Sequence, residues 1–260
     1  MTASGADDTA LRMRVSGLSV RYGSRPALTE ATFDVEPGQV LGVCGPNGSG
    51  KSTLLRAILG LVPSTGQVTI GDRGPAARRR DVAHVPQEAQ MDWTFPAVVR
   101  DVVRMGRLPH TGWLRPRGRA DRAAVDHALE RMAIEHLARR PISELSGGQR
   151  RRMLVARALA QGARVLLLDE PFAGVDATTE AVLWRELDAL RAGGGLALLV
   201  HHDLSATAER CDRLLLLRER VVAFGSPEDV LSRQHLEAAY GRGLWLPASG
   251  EPAELPELVS

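Results

Sequence analysis

The sequence predicts an α/β fold in which a mainly parallel sheet is covered by helices and a helical subdomain is inserted into the chain. The first observation is a set of short, continuous apolar runs, as expected of strands buried on both faces, at residues 40–44, 165–168 and 196–200. Helical patterns follow these runs, for example at residues 52–60 and 178–191, and this alternation is typical of a parallel sheet. The third observation is that helical patterns dominate between residues 98 and 159.

The same patterns predict the organisation of the chain. Residues 11–20 and 31–35 alternate between apolar and polar side chains, which predicts an antiparallel β edge region with one face exposed. We expect a disordered leader over residues 1–11, one folded domain over 12–240 and a flexible tail over 241–260. The domain divides into a core, residues 12–88 and 144–240, and a helical subdomain over about residues 89–143.

The composition excludes several classes of function. The chain has 260 residues, of which 44% are hydrophobic and 25% are charged, as in an ordinary globular protein. A formal net charge of +2 gives no reason to expect nucleic-acid binding. No stretch approaches the ~20 apolar residues of a membrane span, and residues 1–10 lack the pattern of a secretion signal. We therefore expect a cytoplasmic protein that reaches membranes through partners.

A phosphate-binding pattern, G-x-x-x-x-G-K-[ST], lies between the first buried strand and its helix. It is formed by Gly45, Pro46, Asn47, Gly48, Ser49, Gly50, Lys51 and Ser52, and Thr53 follows it. Glycines allow backbone N–H groups to turn toward phosphate oxygens, and the helix adds its positive N-terminal end. Lys51 would supply a charge to the β and γ phosphates, and the Ser52 hydroxyl can ligate Mg²⁺. An ordinary glycine-rich turn is the alternative, but the strand–loop–helix context favours a phosphate-binding loop.

Two carboxylates follow the second buried strand. Asp169 would orient Mg²⁺ through its water shell, and Glu170, one residue further on, would polarise the attacking water. An acidic pair after an apolar strand is often no more than a solvated strand end. Together with the phosphate-binding loop, however, the pair predicts hydrolysis of a nucleoside triphosphate.

A second anion-binding helix start precedes the carboxylate strand, at Leu145-Ser146-Gly147-Gly148-Gln149. Ser146 would cap the helix, and the two glycines would expose N–H groups at its N-terminus. An ordinary serine-capped helix leaves unexplained why one chain has two anion-binding helix ends and a carboxylate pair. This segment resembles the signature motif of the ABC ATPases. The arginines at residues 150–152 are interpreted as a solvated or phosphate-facing helix surface.

Other residues stand where the ABC ATPase family has its functional positions. The resemblance implies that Tyr22 stacks on adenine, that Gln87 senses Mg²⁺ and the γ-phosphate, and that Asp176 lies at a dimer seam. It also assigns the contact with the γ-phosphate to His202, which directly precedes an aspartate; His201 is the competing choice. A metal site made by His201, His202 and Asp203 is less favoured, because adjacent residues at a strand end point to opposite faces and the nucleotide role already uses His202.

The resemblance covers roughly residues 12–240 and implies a P-loop NTPase (RecA-like) core. It further implies that two ATP molecules with Mg²⁺ bind between two copies of the chain. Each site would take its phosphate-binding loop from one copy and Ser146, Gly147, Gly148 and Gln149 from the other. Hydrolysis would then drive the copies apart. Because every catalytic position is intact, the sequence predicts an active ATPase.

The segment Asp92-Trp93-Thr94-Phe95-Pro96 is rich in aromatic residues for a chain with 4% aromatics. We interpret it as part of a groove, in the region from Gln87 to Arg107, that accepts a helix of a membrane permease. A local core of the helical subdomain is the alternative. The segment resembles the manganese- and zinc-importing branch of the family, as do Gly112-Trp113-Leu114-Arg115 and residues 169–177 and 200–204.

The resemblance to this branch implies the remaining partners. The chain would drive a separate permease at the cytoplasmic face of the cell membrane, and an extracytoplasmic metal-binding protein would deliver manganese, or zinc. An iron-siderophore or cobalamin importer is the alternative, and a soluble ABC ATPase without a transport role is another. Soluble members usually carry a long coiled-coil insertion or two fused ATPase units, and this chain has neither.

Overall fold

The structure, a computed structural model, describes residues 11–88, 91–111 and 118–241. The predicted leader (1–11) and tail (241–260) lie outside these ranges except for residues 11 and 241, and Gly112-Trp113-Leu114-Arg115 also lies outside them. Nine strands are assigned within the described residues: β1 (Met13–Tyr22), β2 (Arg25–Val35), β3 (Val40–Cys44), β4 (Thr65–Ile70), β5 (Val82–Val85), β6 (Val165–Asp169), β7 (Leu196–Val200), β8 (Arg213–Arg218) and β9 (Arg220–Gly225).

Nine α-helices are assigned within the same ranges: α1 (Lys51–Ile58), α2 (Val99–Met105), α3 (Leu108–Thr111), α4 (Arg119–Arg131), α5 (Gly147–Gln161), α6 (Ala177–Ala192), α7 (Leu204–Arg210), α8 (Pro227–Val230) and α9 (Arg233–Tyr240). None of these described helices has the length and apolar character needed to cross a membrane.

Three strands form an antiparallel sheet in the order β2-β1-β4. Along β1, Met13, Val15 and Leu18 are buried, whereas Arg14 and Ser16 are exposed. This alternation buries one face of the sheet and leaves the other in water, as antiparallel sheets allow. The predicted antiparallel β region is therefore confirmed.

The second sheet has six strands in the order β5-β6-β7-β3-β8-β9, and β9 at its edge is antiparallel to β8. β3, β6 and β7 are buried at every position, as expected of parallel strands covered on both faces. Val200 pairs with Asp169 on one side and with Val43 on the other, so the carboxyl ends of three strands are level. Loops that follow these strands meet at one edge, where ligands bind in open α/β sheets. The predicted α/β fold with a mainly parallel sheet is confirmed.

Helices α2, α4 and α5 pack against one another, and α5 also contacts β5 and α6. The approach of α2 to α5 is close at Gly106, where an added Cβ atom would lie 2.1 Å from the carbonyl oxygen of Arg157. α5 therefore joins the helices around residues 99–131 to the sheet. The division into a core and a helical subdomain at about residues 89–143 stays a prediction.

Replacing Gly106 with alanine should lower the free energy of unfolding by about 1–3 kcal/mol, because the methyl group would overpack the contact between α2 and α5. The backbone φ of −57° at Gly106 suits alanine, so crowding alone would cause the effect. Gly74→Ala is the control, because its φ is −65° and no atom lies within 4 Å of its Cβ position. Equilibrium unfolding in urea measures both variants, and equal free energies would contradict the close packing.

Candidate active site

Three glycines with positive φ shape the loop between β3 and α1. The φ angle is 150° at Gly45, 77° at Gly48 and 100° at Gly50. Two of these positions also lack room for a side chain. A Cβ atom at Gly45 would lie 2.1 Å from the Leu217 carbonyl oxygen, and one at Gly50 would lie 2.5 Å from the Ala27 carbonyl oxygen. Glycine alone fits there, and β2 and β8 hold the loop from two sides.

The turn between β8 and β9 supports the loop as well. The Glu219 N–H donates to the Ser49 carbonyl oxygen at 2.8 Å, and the Ser49 N–H donates to the Pro46 carbonyl oxygen at 3.2 Å. Ser49 is 3% exposed, whereas Asn47 and Gly48 at the tip of the loop are exposed. The loop is thus anchored at its base and open to solvent at its tip.

The loop closes around the ammonium group of Lys51. Lys51 Nζ donates to the carbonyl oxygens of Gly45 (2.7 Å) and Pro46 (2.9 Å), and the residue is 8% exposed. Burial lowers the pKa of Lys51, and the negative charge of Glu170 opposes that shift. A cation held by two neutral carbonyl groups can bind phosphate oxygens instead, because charged acceptors are stronger partners.

The first N–H groups of α1 complete this cradle. The N-cap residue, Gly50, provides no side-chain cap. The N–H groups of Lys51, Ser52 and Thr53 have no partner within the helix, and the helix macrodipole adds positive charge at this end. The arrangement can bind a phosphate group.

Ser52 connects the loop to the carboxylates at the end of β6. Its hydroxyl donates to Asp169 Oδ1 at 3.2 Å, although β7 lies between β6 and β3 in the sheet. Asp169 is 2% exposed. Burial raises the pKa of Asp169, whereas the hydrogen bond from Ser52 lowers it. A solvated strand end would not bury a carboxylate in this way.

Glu170 has a left-handed backbone, with a φ of 50°, which is uncommon for a residue other than glycine. Its N–H donates to the Val200 carbonyl oxygen at 3.1 Å, and Gln87 Nε2 donates to its Oε2 at 2.9 Å. Gln87 comes from the segment after β5, the strand next to β6. The phosphate-binding loop, both carboxylates and Gln87 therefore form one connected group at the edge of the sheet.

The two histidines after β7 have different environments. His201 is 9% exposed, stacks on Phe172 with ring centroids 5.6 Å apart, and accepts a hydrogen bond at Nδ1 from the Asp203 N–H (2.9 Å). Burial lowers the pKa of His201, and the neighbouring His202 adds to the shift. His202 is exposed, so it is the one of the two that can reach a ligand. Among the described residues, no group of three His, Cys, Asp or Glu side chains is placed to hold a metal ion.

The segment Ser146–Gln149 forms the start of α5. Ser146 Oγ accepts a hydrogen bond from the Gln149 N–H at 3.4 Å, and Gln149 Oε1 accepts one from the Ser146 N–H at 3.1 Å. Ser146 and Gly147 are exposed, so this helix N-terminus faces solvent. In the described parts of the chain, no hydrogen bond or ion pair joins this segment to the phosphate-binding loop. One copy of the chain thus presents two separate helix N-termini, at α1 and at α5.

Asp176 lies beside Gly148 of this segment. Asp176 caps α6 by accepting a hydrogen bond from the Thr179 N–H (2.7 Å), which lowers the pKa of Asp176. A Cβ atom at Gly148 would lie 3.3 Å from Thr179 Oγ1, and Arg152 Nε donates to the same hydroxyl at 2.9 Å. Tyr22 stands apart from these residues, at the end of β1, and is 49% exposed.

Sequence reasoning missed the residues that join these segments. The prediction that the arginines at 150–152 form a solvated or phosphate-facing surface is wrong for Arg151, which is 2% exposed. Arg150 and Arg151 both face Glu88, at 3.4 Å and 4.0 Å between nitrogen and carboxylate oxygen. The helical period could have indicated that one of these arginines is buried, because three consecutive residues of a helix packed on a core cannot all face solvent.

The aromatic segment is divided between core and surface. Trp93 is partly buried against the core that contains α2, α4 and α5. Its indole Nε1 donates to the Glu88 carbonyl oxygen at 3.2 Å, and the Arg150 guanidinium lies 4.5 Å from its ring centroid. Phe95 is 55% exposed. Trp93 therefore fits the alternative of a local core, whereas the permease groove stays a prediction. We call Trp93, Thr94 and Phe95 the Trp93–Phe95 surface.

Comparison with known proteins identifies relatives of the chain. A family model described as ABC transporter matches residues 28–173. The manganese transport system ATP-binding protein MntB of Halalkalibacterium halodurans is 41% identical over 228 residues, which cover 88% of this chain and 91% of that protein. The zinc transport system ATP-binding protein TroB of Treponema pallidum is 42% identical over 234 residues, which cover 90% of this chain and 88% of that protein.

The same similarity extends to solved structures. The ADP conformation of MJ1267, an ATP-binding cassette of an ABC transporter, superimposes with a TM-score of 0.74 at 26% identity. The match covers 88% of this chain and 97% of that one. Most of the chain therefore shares the fold of this ATP-binding cassette.

His84 on β5 should make stability depend on pH. Burial lowers the pKa of His84 from 6.5 to about 4, and the positive charges of Arg157 and Arg56 add to the shift. The unfolded chain binds this proton as the pH falls through 6.5, whereas the folded chain does not until about 4, so stability is lost as the pH falls through that window. From pH 7 to pH 5, His84→Met should lose about 1–2 kcal/mol less stability than the wild type.

Urea unfolding at the two pH values measures this difference. His136→Met is the control, because His136 is exposed and its removal leaves the buried histidine in place. A wild-type chain and a His84→Met variant with the same loss of stability would contradict the assignment.

Proposed function

This chain belongs to the ABC transporter family, and we propose that it powers the uptake of a divalent transition metal, manganese or zinc, through a separate membrane permease. Like the ATP-binding subunits of this family, the chain binds ATP and is an ATPase. Two relatives named for manganese and zinc transport are 41–42% identical over 88–90% of the chain. This similarity supports manganese or zinc as the transported metal. The observation that carries the hydrolytic role is the connected group of Ser52, Asp169, Glu170 and Gln87.

The phosphate-binding loop would hold the β and γ phosphates of ATP. Backbone N–H groups of the loop other than that of Ser49, which donates to Pro46, and those at the start of α1 would donate to phosphate oxygens, and Lys51 would supply the charge. Two neutral carbonyl oxygens share Lys51 Nζ in this structure, and a phosphate dianion is a stronger partner. Tyr22, exposed at the end of β1, would stack on the adenine ring.

Three side chains suit Mg²⁺, a cation that prefers oxygen ligands. The Ser52 hydroxyl and the Asp169 carboxylate already lie 3.2 Å apart, so a hard cation would meet both oxygens together. Gln87 reaches the same carboxylate pair from the segment after β5. When bound with ATP, Mg²⁺ would neutralise charge that develops on the phosphates. We propose that Ser52, Gln87 and Asp169 hold it.

Glu170 would act as the base that polarises the attacking water. The hydrogen bond from Gln87 holds carboxylate oxygen Oε2, which leaves Oε1 to accept a proton from water. The exposed His202 would contact the γ-phosphate. His201, held against Phe172, would support its neighbour rather than touch the nucleotide.

Two copies of the chain would complete each site. Within the segment Ser146, Gly147, Gly148 and Gln149, the capping box uses the N–H groups of Ser146 and Gln149, and those of Gly147 and Gly148 would serve as donors. Among the described residues, no hydrogen bond joins this helix end to the phosphate-binding loop of the same chain. We propose that this segment faces the γ-phosphate held by the other copy, with Asp176 at the seam. A two-fold dimer repeats that contact and therefore encloses two ATP molecules.

The permease would dock on the region from Gln87 to Arg107. Phe95 is exposed within the Trp93–Phe95 surface, and an exposed aromatic side chain beside a partly buried one is suited to receive a helix of a partner. The helices around residues 99–131 would form the helical subdomain, at about residues 89–143, that carries this surface. The chain would work at the cytoplasmic face of the cell membrane, and an extracytoplasmic metal-binding protein would act through the permease.

Glu170→Gln should keep ATP binding and lower ATP turnover by about 100-fold or more, because the amide cannot accept the proton of the attacking water. The variant should accumulate as a dimer with ATP bound, which size-exclusion chromatography detects. Glu130→Gln is the control, since it removes an exposed carboxylate of α4. Turnover of Glu170→Gln close to that of the wild type would remove Glu170 as the base.

A metal-uptake assay tests the transported ion. A strain that lacks this chain should lose high-affinity uptake of manganese or zinc in metal-poor medium. The wild-type chain should restore uptake, and Glu170→Gln should not. Unchanged uptake of both metals in the deletion strain, together with an intact ATPase activity of the purified chain, would contradict metal import while leaving the ATPase assignment in place.

A further inference from the structure

Glu88 contacts several functional segments at once. It directly follows Gln87, whose amide binds Glu170 at 2.9 Å. Its backbone carbonyl accepts a hydrogen bond from the Trp93 indole at 3.2 Å. Its carboxylate lies between two arginines in the first turns of α5. One residue is therefore joined to the hydrolytic group, to the Trp93–Phe95 surface and to the helix that begins with the signature segment.

The two arginines that face Glu88 have unequal surroundings. The Arg150 side chain is 24% exposed, and its guanidinium also reaches the Ser143 carbonyl oxygen (3.4 Å) and the Trp93 ring. Arg151 is 2% exposed, and its Nε and Nη1 atoms have no hydrogen-bond partner in the described parts of the chain. Its Nη2 atom is 4.0 Å from Glu88 Oε2. Arg151 is thus a buried cation whose donors are largely unused.

Carboxylates from two segments act on Arg151: Glu88, and the pair at the end of β6. Burial lowers the pKa of Arg151, and the carboxylates of Glu88, Glu170 and Asp169 oppose that shift. The guanidinium therefore lies in the field of the carboxylates at the end of β6 as well as that of Glu88. A buried cation of this kind favours any arrangement that brings a carboxylate closer to it.

Glu88 also lies beside the first glycine of the signature segment. A Cβ atom at Gly147 would be 3.8 Å from Glu88 Oε2. The carboxylate oxygen that faces Arg151 therefore lies next to the space that a side chain at Gly147 would occupy. A displacement of Glu88 would disturb the start of α5. It would also move Gln87, because a peptide bond joins the two residues.

We propose that Glu88 is a positioning residue for ATP hydrolysis, whose carboxylate couples the start of α5 to Gln87 and Glu170. This inference rests on the proposed function, because it uses the roles given there to the signature segment, Gln87 and Glu170. In the arrangement described, Arg150 and Arg151 share the carboxylate. Closure of Glu88 onto Arg151 would draw the start of α5 toward the attacking-water site. A permease helix on the Trp93–Phe95 surface would act on Glu88 through the indole hydrogen bond.

Glu88→Gln tests the coupling. We expect the kcat for ATP hydrolysis to fall by about tenfold, a size typical of coupling between two sites. The affinity for a fluorescent ATP analogue should stay within about twofold of the wild type. Among the described residues, no hydrogen bond or ion pair joins Glu88 to the phosphate-binding loop, so ATP binding in the ground state should be retained. Glu88→Asp keeps the charge and should recover part of the lost kcat.

Glu144→Gln is the matched control. Glu144 lies just before the signature segment, its side chain is 55% exposed, and it pairs with Arg140 at 3.3 Å. The variant therefore removes the same charge close to α5 without touching Gln87, Trp93 or Arg151. It should leave both kcat and the affinity for the ATP analogue unchanged.

Two results would overturn the inference. One is a kcat for Glu88→Gln equal to that of Glu144→Gln. The other is a parallel fall in kcat, ATP affinity and melting temperature, which would show a merely structural role. If Glu88→Gln does not fold, Arg151→Lys is the second test variant, because it keeps the buried charge. It should also lower kcat while leaving the affinity for the ATP analogue within about twofold of the wild type. A wild-type chain without ATPase activity would instead refute the proposed function.

Discussion

The carbonyl oxygens of Ala27 and Leu217 press against two glycines of the phosphate-binding loop, and the rest of the site depends on this contact. Because each oxygen occupies the place of a side chain, the loop can take its shape only with glycine at both positions. That shape directs Lys51 inward onto the loop carbonyls and starts α1 where Ser52 reaches Asp169. A side chain at either glycine would separate the phosphate cradle from the carboxylates.

The second constraint is the register of the parallel sheet. Asp169 and Val43 both pair with Val200, so the ends of β6, β7 and β3 are level. The residues that follow these three strands therefore lie close together at one edge of the sheet. Gln87 joins from the neighbouring strand by its bond to Glu170. The start of α5 points elsewhere, with Ser146 exposed. One chain therefore has two separate helix N-termini, at α1 and at α5, and under the proposed function the second would bind a phosphate held by another copy.

Features that depend on neighbours in sequence were predictable from the sequence, whereas contacts between distant segments were not. The glycine loop, the acidic strand end and the Ser146 cap follow from local backbone rules, and the apolar runs predict the buried parallel strands. The partnership of Glu88 with Arg151 is different, because a pattern of charges does not indicate which arginine of a run faces inward or which carboxylate it meets. Trp93 and Phe95 are two residues apart, yet one packs on the core and the other is exposed, a division that depends on the tertiary position of α5.

The central claim, that each ATP site is built from two copies of the chain, is tested most directly by mixing two inactive variants. Lys51→Ala removes the charge of the phosphate cradle, and Ser146→Arg blocks the second helix end. Each variant alone should be inactive, because both sites of its homodimer are damaged. Mixing them in equal amounts should restore roughly a quarter of the wild-type ATPase activity, since half of the dimers formed by random pairing have one intact site. Wild-type activity of either variant alone, or a mixture no more active than its components, would contradict the claim.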